Sequence, residues 1–343
     1  MLVQPQFTRM LRTLALLSLV IGLLPAAVFA QYKVTDLVSN VSGGGKFVDA
    51  DLVNAWGIAF SPTGPFWVSD NGTGLSTLYT GAGIKQSLVV TIPPASGNVK
   101  GSPTGMVFNS TSSFVVTQNG KSGAALFIFD TSDGTISGWS PSVNATNAVI
   151  AVTTPGASYT GLAIGVNNGS NFIYAVDSAS NKVDMYDGTF AFVTSFTDTT
   201  LTGFSVYGIQ NINNQLYVTF TNSSGSGAVD IFDLSGNKIK TLAKGGSLKT
   251  PWGLALAPSN FGPFSNALLV GDLGDGKING FNLSTGKFIG QLKDTTRTVI
   301  SINGLWGLAF GAGNNMNGPK NHLFFTAGPS GYSQGLFGVI VFK

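Results

Sequence analysis

The chain has 343 residues, of which 43% are hydrophobic and only 10% charged, and all 15 acidic residues are aspartate. It contains no cysteine and a single histidine, His322. This composition excludes disulfides, cysteine-based sites, clustered-histidine metal centres and a glutamate general acid. Because glutamate favours helices and aspartate does not, a glycine-rich chain without glutamate is typical of an all-β exported protein.

An export signal is predicted in residues 1–30. Two arginines precede the apolar run Leu14–Leu24, and the small residues of Val28-Phe29-Ala30 suit a signal peptidase. The run is short for a membrane span, although an uncleaved N-terminal anchor is an alternative. We therefore expect cleavage, a single mature domain of residues 31–343 without a stable membrane span, and an extracellular or periplasmic location.

The charge of the mature chain argues against nucleic acid as a partner. After the signal is removed, 16 basic and 15 acidic residues leave a net charge of +1. Binding to a phosphate backbone needs lysines and arginines gathered in a stripe or patch, and here they are scattered singly. We exclude nucleic acid and expect a monomer.

A unit of roughly 45 to 55 residues recurs six times. Each copy begins with an apolar strand around a glycine, as in Trp56-Gly-Ile-Ala-Phe60, Trp252-Gly-Leu-Ala-Leu256 and Trp306-Gly-Leu-Ala-Phe310. Further apolar runs follow, separated by turns rich in glycine, asparagine and aspartate. Six units of four short strands predict a six-bladed β-propeller. The anchor glycines are Gly57, Gly105, Gly161, Gly208, Gly253 and Gly307.

The second strand of each unit is predicted from the apolar run after the anchor strand. In the second unit this run is Ser113–Val116, with Ala125–Phe129 as the third strand. The sixth unit has only three strands, and an isolated strand, Tyr32–Val38, lies just after the predicted cleavage site. We expect Tyr32–Val38 to close the last blade as its outer strand, which covers an open edge that would invite aggregation.

The repeats resemble those of NHL-type six-bladed propellers, and more closely those of an uncharacterised family of secreted bacterial propeller proteins. The resemblance spans the mature chain and is carried by Asn54–Tyr79, Thr250–Gly276 and Gly304–Gly338. It implies the propeller fold and export, and the family has no established activity. Family members often carry acidic residues and a histidine before the last Leu-Phe-Gly, where this chain has Ser330-Gly-Tyr-Ser-Gln334.

A candidate metal site is predicted where the second strands end, because these ends share one face of a propeller around the channel. The carboxylates of Asp70, Asp177 and Asp272 could there hold Ca²⁺, which takes several oxygen ligands. These three aspartates and Asn71 are also candidate ligand-binding residues. The alternative is that each aspartate caps its own turn. The predicted strand-end residues are Asp70, Gln118, Asp177, Thr221, Asp272 and Ala327.

An aromatic collar is the second candidate site. Trp56, Tyr207, Trp252 and Trp306 directly precede anchor glycines, and Tyr159 lies one position earlier in its unit. Such rings could stack on sugars or other flat ligands, with the indole N–H as a polar group. The alternative is that they pack between neighbouring blades.

Three functions are consistent with these features. The first is a secreted, non-catalytic binding propeller that engages a carbohydrate, a peptide or a cell-envelope partner through its loop face. The second is a metal-dependent hydrolase resembling the gluconolactonase-like propellers, which would use Asp70, Asp177 and Asp272 but lacks the glutamate those enzymes usually have. The third is a structural surface protein. The shortage of acid–base side chains favours binding over catalysis.

Overall fold

The computed structural model describes Met1, residues 31–95 and residues 99–343, so the predicted export signal lies outside the described residues apart from Met1. Across the described ranges, no helix is long and apolar enough to cross a bilayer. The strands are β1 (Tyr32–Ser39), β2 (Phe47–Val48), β3 (Ala55–Phe60), β4 (Phe66–Asp70), β5 (Leu75–Tyr79), β6 (Lys85–Thr91), β7 (Pro103–Phe108), β8 (Val115–Gln118), β9 (Lys121–Ala124), β10 (Phe127–Thr131), β11 (Thr135–Trp139), β12 (Val149–Thr153), β13 (Tyr159–Asn167), β14 (Ser170–Asp177), β15 (Lys182–Asp187), β16 (Phe192–Phe196), β17 (Phe204–Ile212), β18 (Gln215–Asn222), β19 (Ser226–Phe232), β20 (Lys238–Lys249), β21 (Pro251–Leu256), β22 (Ala267–Asp272), β23 (Ile278–Asn282), β24 (Phe288–Gln291), β25 (Leu305–Phe310), β26 (His322–Ala327) and β27 (Leu336–Phe342). A short 3₁₀ turn lies at Gly262–Phe264, and a four-residue turn with positive φ at Ser330 and Gly331 lies at Pro329–Tyr332.

Six sheets form six blades in chain order. The strand orders are β3-β4-β5-β6, β7-β10-β11-β12, β13-β14-β15-β16, β17-β18-β19-β20, β21-β22-β23-β24 and, for the sixth blade, β25-β26-β27-β1-β2. The first strand of each blade contacts the first strand of the next, and β25 contacts β3. The six first strands therefore enclose a central channel, and the predicted all-β six-bladed propeller is confirmed.

The sixth blade joins the two ends of the described domain. Strand β1 pairs antiparallel with β27, from Tyr32 opposite Phe342 to Ser39 opposite Leu336. Tyr32 is fully buried, and its hydroxyl donates a hydrogen bond of 2.8 Å to the carbonyl of Phe261. The strand is thus held by backbone pairing on one side and by an aromatic side chain inserted into the neighbouring blade.

The second blade differs from its predicted register. Val115–Gln118 pairs only with Lys121–Ala124, as a separate hairpin (β8-β9), and the blade's second strand is β10. The prediction that Ser113–Val116 forms the second strand is therefore wrong. The hairpin carries the same apolar alternation as a blade strand and turns at Asn119-Gly120, where both residues have positive φ.

The anchor glycines form a ring in which each first strand abuts the next. A Cβ on Gly253 would lie 2.3 Å from the carbonyl oxygen of Trp306, and one on Gly105 would lie 2.3 Å from the backbone nitrogen of Leu162. The other four glycines also face the following blade, with the sixth blade meeting the first. A side chain at most of these positions would push two strands apart, and glycine is the residue that permits the close approach.

Apolar side chains fill the spaces between neighbouring blades. Between the first two blades, Trp67 stacks on Phe127 with ring centroids 4.0 Å apart and contacts Trp139 at 4.8 Å. Between the sixth and first blades, Phe66 packs on Phe324 at 4.4 Å. The side chains of successive strand residues point to opposite faces, so each blade contributes to two such layers and the channel itself stays outside the core.

Candidate functional site

The residues directly before the anchor glycines surround one end of the channel, which we call the upper mouth. All six first strands begin at this end. Three of the residues are tryptophan and one is tyrosine, whereas blades 2 and 3 place threonine here. They are Trp56, Thr104, Thr160, Tyr207, Trp252 and Trp306.

The aromatic rings meet one another across the upper mouth. The indoles of Trp56 and Trp306 stack with centroids 3.6 Å apart, and Trp252 meets Trp306 edge-on at 5.8 Å. Tyr207 and Tyr332 lie 6.1 and 5.7 Å from Trp306. We call these five rings the aromatic platform. The tryptophans of the fifth, sixth and first blades therefore contact one another at this end of the channel.

Hydrogen bonds set the orientation of two indoles. Nε1 of Trp306 donates to Oδ1 of Asn54 at 3.0 Å, and Nδ2 of Asn54 donates to Oδ1 of Asn71 at 3.0 Å. Nε1 of Trp252 donates to the carbonyl of Thr160 at 2.7 Å. Asn71, predicted as a ligand-binding residue, thus supports Trp306 through Asn54. Nε1 of Trp56 is buried and lacks a hydrogen-bond partner among the described residues.

The loop that carries Tyr332 has an unusual backbone. Ser330, Gly331 and Tyr332 have φ values of 55°, 64° and 69°, all in the left-handed region that side-chain-bearing residues seldom adopt. Tyr332 is 46% exposed, whereas Trp306 beneath it is buried. Consecutive residues held in such a conformation are typical of binding loops. Sequence reasoning placed this loop beside the last strand but did not include Tyr332 in the site.

Asp70 lies inside the first blade and not in the channel. It is fully buried, and both carboxylate oxygens lack hydrogen-bond partners among the described residues. Burial raises the pKa of Asp70 well above its ordinary value, and the nearby Asp49 raises it further. The side chain is therefore disposed to be neutral.

Asp177 caps a turn. Its Oδ1 accepts hydrogen bonds from the backbone N–H groups of Ser158, Ala179 and Ser180, at 3.0, 3.2 and 3.3 Å. Three such bonds account for a buried carboxylate without a cation. For this residue the turn-cap interpretation describes the observed geometry.

Asp272 is fully buried in the fifth blade. Its Oδ2 accepts a hydrogen bond of 2.7 Å from Nδ2 of Asn279, while Oδ1 has no partner among the described residues. Burial raises the pKa of Asp272 to about 8. Like Asp70, this carboxyl group lies within a blade, in an environment that favours its neutral form.

The three aspartates do not form one ligand set. Within the described ranges, no three acidic, histidine or cysteine side chains lie close enough to hold a metal ion together. Two of the predicted strand-end positions also shift, since Thr131 and Phe220 occupy the places assigned to Gln118 and Thr221.

The shift in the second blade brings a residue into view that sequence reasoning missed. Asp130 lies one position before the strand end and accepts a hydrogen bond of 2.7 Å from Oγ1 of Thr104. Burial raises the pKa of Asp130 to about 7. Thr104 belongs to the residues around the upper mouth, and the same hydroxyl lies 2.8 Å from the carbonyl of Tyr159. Asp130 therefore supports the threonine side of the mouth. The sequence signal that could have identified Asp130 is the Asp-Thr pair at the end of a strand.

The raised pKa of Asp272 leads to a prediction about stability and pH. The folded state retains a proton that the unfolded chain releases near pH 4, so this residue destabilises the fold as the pH rises towards 8. Asp272→Asn mimics the neutral acid and keeps an acceptor for Asn279. We expect the variant to melt about 2–6 °C higher than the parent at pH 8 and nearly equal to it at pH 4.

A matched control for this prediction is Asp187→Asn. Asp187 lies in an exposed turn, where the hydroxyl of Thr189 donates to its carboxylate at 2.7 Å and lowers its pKa. This variant should not gain stability at pH 8, because the ionised form is the favoured one. Melting curves from pH 4 to 8 that run parallel for the parent and Asp272→Asn would contradict the assignment.

Sequence comparison finds viral relatives of unknown function, and no protein-family model matches the chain. Uncharacterized protein R648 of Acanthamoeba polyphaga mimivirus is 27% identical over 338 residues, which cover 92% of this chain and 82% of the viral protein. Uncharacterized protein L690 of the same virus is 28% identical over 307 residues, covering 83% and 80%. Membership of a secreted bacterial family stays a prediction.

Structural comparison finds propellers with different activities. Virginiamycin B lyase from Staphylococcus aureus has a TM-score of 0.52 and 13% identity, covering 91% of this chain and 99% of the lyase. The PQQ-bound form of aldose sugar dehydrogenase from Streptomyces coelicolor has a TM-score of 0.54 and 12% identity, with coverages of 91% and 99%. At such low identity the likeness shows the fold alone.

Proposed function

We propose that the protein is a non-catalytic binding propeller whose aromatic platform holds a carbohydrate ring or a comparably flat ligand. The observation that carries this proposal is the convergence of five aromatic rings at one channel mouth. Aromatic faces stack on the apolar faces of such ligands, and indole N–H groups donate to their oxygens. A buried donor without a partner, as at Trp56 Nε1, is a place where a ligand oxygen or a water is expected.

The placement of the titratable groups supports binding without catalysis. Asp70 and Asp272 are fully buried within their blades. His322 begins β26, at the end of that strand opposite to the upper mouth, and burial lowers its pKa. A general acid or base must lie within hydrogen-bond reach of the reacting atoms, and none of these three residues lines the platform. Asp130, beside the mouth, is fully buried behind Thr104. The gluconolactonase-like alternative depends on carboxylates that the fold keeps apart.

Export is part of the same proposal. The predicted signal in residues 1–30, the lack of cysteine and the small net charge of the mature chain suit a protein that works outside the cytoplasm. The ligand would then be a glycan of an extracellular matrix or of a cell envelope. A glycan series that shows no binding in the test below would favour a peptide partner instead.

The platform is tested by removing its exposed ring. Tyr332→Ala takes away the most accessible stacking surface and leaves the buried rings in place, so we expect glycan affinity to fall about 5- to 30-fold, equivalent to about 1–2 kcal/mol. Isothermal titration of a glycan series against parent and variant measures this, and it is repeated with a chelator. Phe192→Ala is the control, because Phe192 is 57% exposed on an outer strand.

Two results would contradict the proposal. Equal losses in Tyr332→Ala and Phe192→Ala would move the ligand away from the upper mouth. Hydrolysis or elimination of the bound glycan during the titration would make the protein an enzyme. A separate result, loss of binding on chelation, would show that glycan binding requires Ca²⁺. That ion would lie at a site other than a joint one formed by Asp70, Asp177 and Asp272.

A further inference from the structure

The opposite end of the channel, the lower mouth, opens into a cavity of about 610 Å³, which we call the lower funnel. Its wall is formed by the second halves of the six first strands, which follow the anchor glycines. Beyond the glycine ring the channel narrows to a cavity of about 30 Å³, lined in part by Gly57, Gly105 and Trp252. The channel is therefore much narrower at the glycine ring than in the lower funnel. Large apolar side chains at its rim are Phe60, Phe108, Ile164, Leu256 and Phe310.

The wall of the lower funnel is uncharged, and its polar side chains lie on one side only. None of the lining residues is ionisable, and five of the six blades contribute only apolar side chains. The fourth blade instead contributes amides, including Gln210 and Asn211, followed by the turn Asn213-Asn214. Nδ2 of Asn211 donates to the carbonyl of Ile164 at 2.8 Å, which fixes that amide against the third blade, and Gln210 is exposed.

Small side chains recur in the wall of this cavity. The second position after the anchor glycine is alanine in four blades, and Gln210 occupies the same position in the fourth. The first strands also pair with a neighbour on one edge only, so their other edge of N–H and C=O groups faces the channel. The cavity thus combines room, apolar contact surface and hydrogen-bonding groups. The four alanines are Ala59, Ala163, Ala255 and Ala309.

We propose that the lower funnel is a second binding site, for a neutral small molecule that has both an apolar part and hydrogen-bonding groups. The volume falls within the range of about 300–1,000 Å³ that ligand pockets occupy. The polar end lies against Gln210, and the apolar body contacts the aromatic rim. A charged ligand would lose its hydration without gaining a partner of opposite charge, so the site selects against ions. This site is independent of the function proposed for the aromatic platform.

The test uses the neutral fluorophore N-phenyl-1-naphthylamine and the lack of cysteine in the chain. Gln210→Cys places a single thiol in the wall, and Ser195→Cys places one on the exposed outer strand β16. We expect saturating fluorophore to slow the alkylation of Gln210→Cys by N-ethylmaleimide several-fold and to leave Ser195→Cys unchanged. The anionic analogue 8-anilinonaphthalene-1-sulfonate should protect less, and Trp252→Phe should leave fluorophore binding intact.

A filling variant provides a second measurement. Gln210→Trp reduces the cavity from an exposed position, so fluorophore binding should weaken while the melting temperature stays close to that of the parent. Should that variant fold poorly, the alkylation rates decide alone. Equal rates with and without fluorophore at Gln210→Cys, or equal protection at both thiols, would overturn the proposal. Stronger protection by the anion than by the neutral probe would also overturn it.

Discussion

A chain shortened to begin at Asn40 is expected to aggregate or to lose most of its thermal stability. The truncation removes β1, which pairs along its length with β27, and leaves that strand as a bare edge of backbone donors and acceptors. It also removes Tyr32, a fully buried ring that contacts Phe261 at 4.9 Å between ring centroids. Edge exposure and core loss act together, so the effect should exceed that of any single surface substitution.

The measurement is size-exclusion chromatography with a melting curve, using a chain that begins at Gln31 as the control. A synthetic peptide of residues 31–39 added to the truncated chain should restore part of the stability, because the strand pairs mainly with β27 and can dock in trans. A truncated protein that stays monomeric and melts at the control temperature would show that the sixth blade does not need its outer strand.

Gly253→Ala is expected to destabilise the protein by about 3 kcal/mol or more. The added Cβ would lie 2.3 Å from the carbonyl oxygen of Trp306, which is backbone and cannot move without separating the fifth and sixth blades. The displaced strand also carries Trp306 of the aromatic platform, so the indole fluorescence should change as well. Urea unfolding followed by fluorescence and by circular dichroism measures both effects.

Gly156→Ala is the matched control. Gly156 has a φ of 83° and no atom within 4 Å of an added Cβ. The only cost of the alanine is therefore the strain of a side-chain-bearing residue at positive φ, about 1–2 kcal/mol. Gly83 would be a poorer control, because a Cβ there would meet Leu37 at 2.9 Å. Equal losses at Gly253 and Gly156 would remove the physical basis of the glycine ring.

The repeat made the fold predictable because one physical demand recurs in every blade. The first strands must approach each other closely, so glycine returns at Gly57, Gly253 and Gly307 and sets the phase of the other strands. The number of blades could be predicted from the spacing of these glycines alone. The hairpin β8-β9 led to a wrong strand assignment in the second blade, since an inserted strand pair has the same alternation as the strand it displaces.

Side-chain direction explains why the site was only partly predictable. The end of a strand can be located from its turn, but a shift of one residue turns a side chain to the opposite face. Asp70 and Asp272 were placed at the correct strand ends, yet their carboxylates are enclosed within the blades. Their burial, and with it their raised pKa values, depends on packing that no local pattern encodes.

The residues of the aromatic platform also divide into those that the local sequence predicts and those that depend on distant parts of the chain. Trp56, Trp252 and Trp306 were identified because the repeat places them before a glycine, and all three meet at the upper mouth. Tyr332 was not, because it lies outside the repeat in a loop whose left-handed backbone depends on its surroundings. Residues supplied by loops require the structure, whereas residues supplied by strands follow from the period.

The central claim, that a ligand binds on the aromatic platform, is tested most directly by the indole N–H signals of the protein in a nitrogen–proton correlation spectrum. The chain has five tryptophans, and two of them, Trp67 and Trp139, are buried between the first two blades. When a glycan that binds the protein is titrated in, we predict that the signals of Trp56, Trp252 and Trp306 move together and saturate, while those of Trp67 and Trp139 stay in place. Saturable binding that leaves the three platform signals unmoved would contradict the account.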